Sequence, residues 1–116
     1  MISPHFKRVE FACNCGCGFD TVDTQTLEVL EAVRRHFEAP VRVTSGCRCP
    51  AYNRRVGGAS RSQHVLGRAA DIQVLDVEPE AVQDWLAEHF PWASIGRYAT
   101  FTHVDTRTDG PARWRG

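Results

Sequence analysis

The chain has 116 residues, with 14 Lys plus Arg against 14 Asp plus Glu and a formal net charge of zero. That length suits one domain, residues 1–116, with a modest core, and the even charge balance argues against a nucleic-acid binder that works by neutralising many phosphates. The late arginines Arg97, Arg107, Arg113 and Arg115 carry little weight as a patch for an anionic polymer. No apolar run approaches the roughly 20 residues needed to span a bilayer, and Met1 to Glu10 lacks the apolar stretch of a secretory signal. The expectation is a monomer that does not insert into membranes.

Residues 1–20 read as an irregular segment in which Gly16 and Gly18 interrupt three alternating cysteines, Cys13, Cys15 and Cys17. Two more cysteines alternate at Cys47 and Cys49. Neither cluster has the two-residue gap of a usual zinc ribbon. Reduced thiols, one bridge between the clusters, and a second metal site all remain open. Thr24 to Phe37 predicts a helix, because Leu27, Leu30, Val33 and Phe37 recur at three- and four-residue steps. Asp23 or Thr24 can cap its start, and Pro40 stops it. Val41 to Thr44 alternates apolar with polar and predicts a strand. Ser45 to Ser60 follows as a loop with a helical turn around Tyr52 to Arg55. Ala69 to Leu75 predicts a second strand, and Pro79 opens a helix carrying Val82, Trp85, Leu86 and Phe90, ended by Pro91. Ala93 to Tyr98 and Thr100 to Asp105 then predict a hairpin. The sum is an α+β domain, with helices packed on a small, mainly antiparallel sheet.

Three places gather side chains that a plain core does not require. In Ser62 to Asp71, His64 and Asp71 can converge if the chain turns back at Gly67, which can take positive φ; imidazole and carboxylate together suit zinc. On the last predicted strand, alternation puts Phe101, His103 and Asp105 on one face. Two histidines and one carboxylate leave a fourth tetrahedral position free, as a catalytic zinc requires. In Ser45 to Asn53, Arg48 between a strand end and a short helix can grip a substrate carboxylate. Taken one at a time, these residues have plainer readings: Arg48 as a surface ion-pairing residue, Asn53 as a turn or cap former, and Tyr98, Trp92 and Trp114 as core or edge aromatics. His5, His36 and His89 have no partner spacing.

Ser45-Gly-Cys-Arg48-Cys-Pro-Ala-Tyr-Asn53, Val56-Gly-Gly-Ala-Ser-x-Ser62-x-His64-x-x-Gly67-x-Ala-x-Asp71 and Phe101-x-His103-Val-Asp105 resemble the zinc D-alanyl-D-alanine carboxypeptidases, subfamily A of the M15 peptidases. These share a superfamily with lysostaphin-type peptidases and the hedgehog signalling domain. Glu10-Phe-Ala-Cys-x-Cys-Gly-Cys-Gly resembles the opening of compact members from phage and bacterial wall hydrolases. The resemblance implies a hedgehog-like fold and one Zn2+ held by His64, Asp71 and His103. It also implies a substrate of peptidoglycan stem peptides, contacted by Arg48, Ser62, Asn53 and Tyr98. If the chain acts on cell wall, it is phage-encoded, another factor delivers it, or an address has been removed from the sequence. Some relatives place a Glu three residues before the last His ligand, where this chain has Thr100; others place a His two before it, where this chain has Phe101. Asp105 is the nearby substitute, as general base or as the group orienting the attacking water; alternatively Asp105 is a ligand and His103 the base. Competing readings are a non-catalytic zinc-bearing wall-binding module and an assembly protein whose cysteines hold the metal.

Overall fold

Helix α1 spans Thr24–Phe37, the range that its apolar period predicts, and turns Val29, Leu30 and Val33 into the core. It is capped differently from the expectation. Asp23 takes the extended N-cap backbone, but its carboxylate accepts from the Thr106 hydroxyl at 3.0 Å instead of from the first helical turn. The computed structural model describes residues 2–116. Beyond α1, the elements in chain order are β1 (Val41–Ser45), α2 (Pro50–Arg55), β2 (Ala69–Val74), α3 (Pro79–His89), β3 (Ser94–Arg97), β4 (Thr102–Asp105) and β5 (Arg113–Arg115). Two 3-10 turns, Arg8–Phe11 and Gln63–Leu66, precede α1 and β2. The first is a turn inside the segment read as irregular.

The strands form one sheet in the order β1-β2-β4-β3-β5, antiparallel except for a parallel β3/β5 pair. The fold is α+β. The residue pattern announces the first four strands but not β5, whose Arg-Trp-Arg run is too short and too charged to mark a strand. Strand alternation divides the sheet. Val74, Ile72 and Ala70 of β2, with Val104 of β4 and Ile95 of β3, face α1 and α3 and are buried with Val82 and Leu86. Truncating a core leucine such as Leu30, which is fully enclosed, costs about 2–5 kcal/mol in comparable sites.

The N-terminal segment belongs to this core through Phe6 and Phe11. Its ionic anchor is Glu31 on α1, whose carboxylate accepts from Ser3 Oγ at 2.6 Å and from the His5 backbone N–H at 2.8 Å. The same carboxylate meets His5 Nδ1 at 2.7 Å. Burial alone pushes the Glu31 carboxyl up; these bonds outweigh it and hold it below its ordinary value. His36 and His89 both stack against Trp85, with centroids at 4.5 and 4.8 Å, and lie 6.2 Å from each other. The sheet face away from the helices carries the residues of chemical interest.

Candidate metal centre

Sheet register does most of the assembly. Asp71 on β2 lies opposite His103 on β4, and Asp105 lies opposite Ala69. Residues two apart on β4 share a face, so His103 and Asp105 point the same way. His64 comes from outside the sheet. Ser62 caps the 3-10 turn by accepting from the His64 backbone N–H at 3.2 Å, and Gly67 ends the turn at φ 70°. A side chain there would be strained and would also meet Thr21 at 2.8 Å. The turn is pinned to the neighbouring loop where the Arg48 N–H donates to His64 O at 2.9 Å.

The result is a knot of three donor atoms. His64 Nε2 lies 3.2 Å and His103 Nδ1 2.9 Å from Asp71 Oδ1. All three side chains are at most 10% exposed. The outer ring nitrogens assign the tautomers. His64 Nδ1 donates to Gly46 O at 2.6 Å, and His103 Nε2 donates to Asp105 Oδ2 at 2.8 Å. In the neutral rings the inner nitrogens therefore carry lone pairs, and Asp71 Oδ1 is an acceptor too. Three lone pairs facing one another need a positive charge between them. Ligand bonds of 2.0–2.1 Å around a tetrahedral zinc put neighbouring donor atoms about 3.3 Å apart, close to the spacing found. The outer bonds are also those that orient a ligating imidazole. His64, Asp71 and His103 could thus hold one cation.

Before a cation binds, a proton shared by His103 and Asp71 supplies part of that positive charge. Burial raises the Asp71 carboxyl, but contacts with His103 and His64 overcome it and hold the group well below the usual carboxylate range. Burial pushes His103 down, and the bonds to Asp105 and Asp71 bring it above its ordinary value.

Asp105 has no exposed surface. Its Oδ1 accepts from the Arg107 backbone N–H at 3.1 Å and from Arg107 Nε at 2.9 Å. Its Oδ2 accepts from Arg107 Nη2 at 2.7 Å as well as from His103. A carboxylate offers about four lone-pair sites, and four donors occupy them. Burial raises this carboxyl, and Arg107 and then His103 more than reverse that, holding it well below the usual range. Nothing in this geometry leaves Asp105 an oxygen for a water molecule. Sequence reading missed Arg107, grouping it with Arg97, Arg113 and Arg115 as a weak patch for an anionic polymer; its two-residue spacing from Asp105 near a strand end was the available signal.

Arg48 sits at the edge of the knot. Its Nη2 is 3.5 Å from Asp71 Oδ2, Nε donates to Ser45 Oγ at 3.2 Å, and Nη1 donates to Asn53 Oδ1 at 3.2 Å. Asn53 is buried behind it and donates to Ala59 O at 2.8 Å. Gly58 makes room, because a Cβ there would fall 2.1 Å from Asn53 Oδ1. Asn53 therefore braces Arg48 and does not line the cleft.

The knot opens on a cleft of about 450 Å³ bordered by Arg48, Arg61 and Arg107, by Ser62, and by Tyr98, Phe101 and Trp114. Among the described residues, Asp71 is the one acidic side chain lining it. Tyr98 stacks on Phe101 at 4.3 Å and its hydroxyl accepts from Trp114 Nε1 at 2.9 Å. Trp114, read from sequence as a core or edge aromatic, stands 5.0 Å from the His103 ring.

A family model described as Peptidase M15 matches residues 4–105, taking in every one of His64, Asp71 and His103. The chain belongs to the peptidase M15 family. It is a peptidase domain by that membership, and the motif resemblance noted in the sequence points to the same family. No curated protein matches the chain in sequence. In this M15 domain no helix among the described residues is long and apolar enough to cross a membrane.

Proposed function

We propose that the chain is a zinc-dependent peptidase that hydrolyses peptide bonds in peptidoglycan stem peptides, as a D-Ala-D-Ala carboxypeptidase or an endopeptidase. The observation that carries the proposal is the convergence of three lone pairs from His64, Asp71 and His103 beside a cleft with arginines on its walls. A zinc ion bound there supplies Lewis-acid polarisation of the scissile carbonyl and lowers the pKa of water.

The protein's own groups do the rest. Arg48, braced by Ser45 and Asn53, presents its guanidinium to a substrate carboxylate or to the carbonyl oxygen as it gains charge. Arg61 adds positive charge along the cleft, whereas the charge of Arg107 is matched by Asp105; this suits a peptide ending in a free carboxylate. Ser62 borders the same space and offers a hydroxyl to the substrate backbone. Tyr98, Phe101 and Trp114 form an aromatic wall that shields the reacting bond from bulk water. Asp105 acts through His103 as a positioning residue: it keeps the proton on Nε2 and so keeps the Nδ1 lone pair turned inward.

The enclosure of Asp105 favours one second reading, a zinc-bearing module that binds cell wall without cutting it. Incubating purified peptidoglycan and a D-Ala-D-Ala-ending peptide with the protein, with and without chelator, separates the two. Zinc-dependent release of D-Ala or of stem fragments is expected. Retention on the wall with no product from either substrate would leave only the binding module.

A further inference from the structure

None of the five cysteines belongs to that site, and the arrangement of four of them is not that of packed thiols alone. The Sγ of Cys13 lies 3.4 Å from that of Cys15 and 3.9 Å from that of Cys49. Cys15 and Cys49 are 3.7 Å apart. Cys17 completes a group in which all four sulfurs lie within 4.8 Å of one another. Four thiolates at about 2.3 Å from a tetrahedral zinc stand about 3.8 Å apart. We propose that Cys13, Cys15, Cys17 and Cys49 form a second, closed metal site that holds a structural Zn2+.

The fifth cysteine stays outside. Cys47 is buried and donates its thiol to Phe19 O at 2.9 Å. A tetrathiolate site therefore explains the odd count as four ligands plus one core thiol, whereas a disulfide would leave two of the clustered sulfurs without a role. Backbone donors already point at the cluster: Cys49 N–H toward Cys13 Sγ and Tyr52 N–H toward Cys49 Sγ, each at 3.4 Å. Such bonds are the usual outer support of a ligating sulfur. The chain is wound for the purpose, with the Gly16 N–H closing a turn onto Cys13 O at 3.1 Å.

The placement gives the ion a task. Three ligands come from the N-terminal segment, and the fourth directly follows Arg48 and caps α2. A cation there ties the first residues of the chain to the loop that aims Arg48. Its retention does not depend on the peptidase proposal, because no ligand is shared with the His64 site.

Metal content measures this. Protein produced with zinc and dialysed free of loose metal is expected to carry two zinc ions per chain, and His64→Ala one. Cys17→Ser, a change at an exposed position, leaves three thiolates and is expected to give up the second zinc to a chelator more readily than wild type. Cobalt exchanged into wild type or His64→Ala should give thiolate-to-metal charge-transfer absorption, reduced in Cys17→Ser. The wild-type spectrum serves if a variant fails to fold. Loss of all zinc in folded His64→Ala would overturn the proposal. So would cobalt-loaded wild type without the thiolate band, or a disulfide joining Cys49 to Cys13 or Cys15 in freshly purified protein.

Discussion

Replacing Asp105 with Asn changes one oxygen for an amide nitrogen and tests how the centre is held. If Asn Oδ1 keeps the two bonds from the Arg107 backbone and Nε, the new NH2 faces both His103 Nε2 and Arg107 Nη2, which donate to Asp105 Oδ2 at 2.8 and 2.7 Å in the wild type. The amide would oppose both donors: Arg107 Nη2 must turn away, and the cheap relief at the imidazole moves the His103 proton to Nδ1. That nitrogen sits 2.9 Å from Asp71 Oδ1 and would no longer offer a lone pair to a cation. Loss of a ligand's outer partner costs about 10- to 100-fold in metal affinity or activity, equivalent to about 1.4–2.7 kcal/mol. Chelator competition gives the zinc affinity of the His64–Asp71–His103 site, and imidazole nitrogen chemical shifts give the His103 tautomer. A variant that binds zinc like wild type, keeps the proton on Nε2 and yet loses turnover would refute the reasoning, because Asp105 would then act on the reacting atoms themselves.

Arg48→Lys keeps the charge but loses the fork between Ser45, Asn53 and Asp71. The expected result is a fall in kcat/KM of about 10²- to 10³-fold with zinc content unchanged, read by steady-state kinetics and metal analysis. Gly58→Ala drives a Cβ against Asn53 and shifts Arg48; misplacement of this kind costs about 10²-fold in activity, and a circular dichroism spectrum like wild type would show that the fold survives. Glu31 provides a pH test away from the metal. Its carboxyl is held below its ordinary value by Ser3 and His5 despite burial, so its stabilisation is complete above the unfolded pKa of about 4.3 and is lost as pH falls through the lower folded value. Glu31→Gln should therefore cost about 1–3 kcal/mol near neutral pH and progressively less in acid. A gap in melting temperature that stays constant from pH 7 to about pH 3 would contradict this.

Much of the fold was legible because apolar period and proline punctuation agree along the chain. Val33 and Phe37 with Pro40, and Val82 and Leu86 between Pro79 and Pro91, bound the two long helices from sequence alone. β5 was not legible. Its three residues gain strand form only by pairing with β3, and such a contact leaves no local pattern. The site was legible as residue types and spacing: His64, Gly67 and Asp71 suggested a turn-back, and His103 a partner. The β2/β4 register that sets Asp71 across from His103 was not, because register comes from the folded sheet and not from either strand. For the same reason Asp105 read as a free acid. Its enclosure depends on Arg107 folding back over it, and the sequence shows that arginine only as one cation among fourteen basic residues.

Diffraction from crystals of the zinc-loaded protein, recorded on both sides of the zinc absorption edge, locates the cation itself. An anomalous peak is expected about 2.0–2.1 Å from His64 Nε2, Asp71 Oδ1 and His103 Nδ1. An active, zinc-loaded crystal with no peak between those three atoms would contradict the assignment.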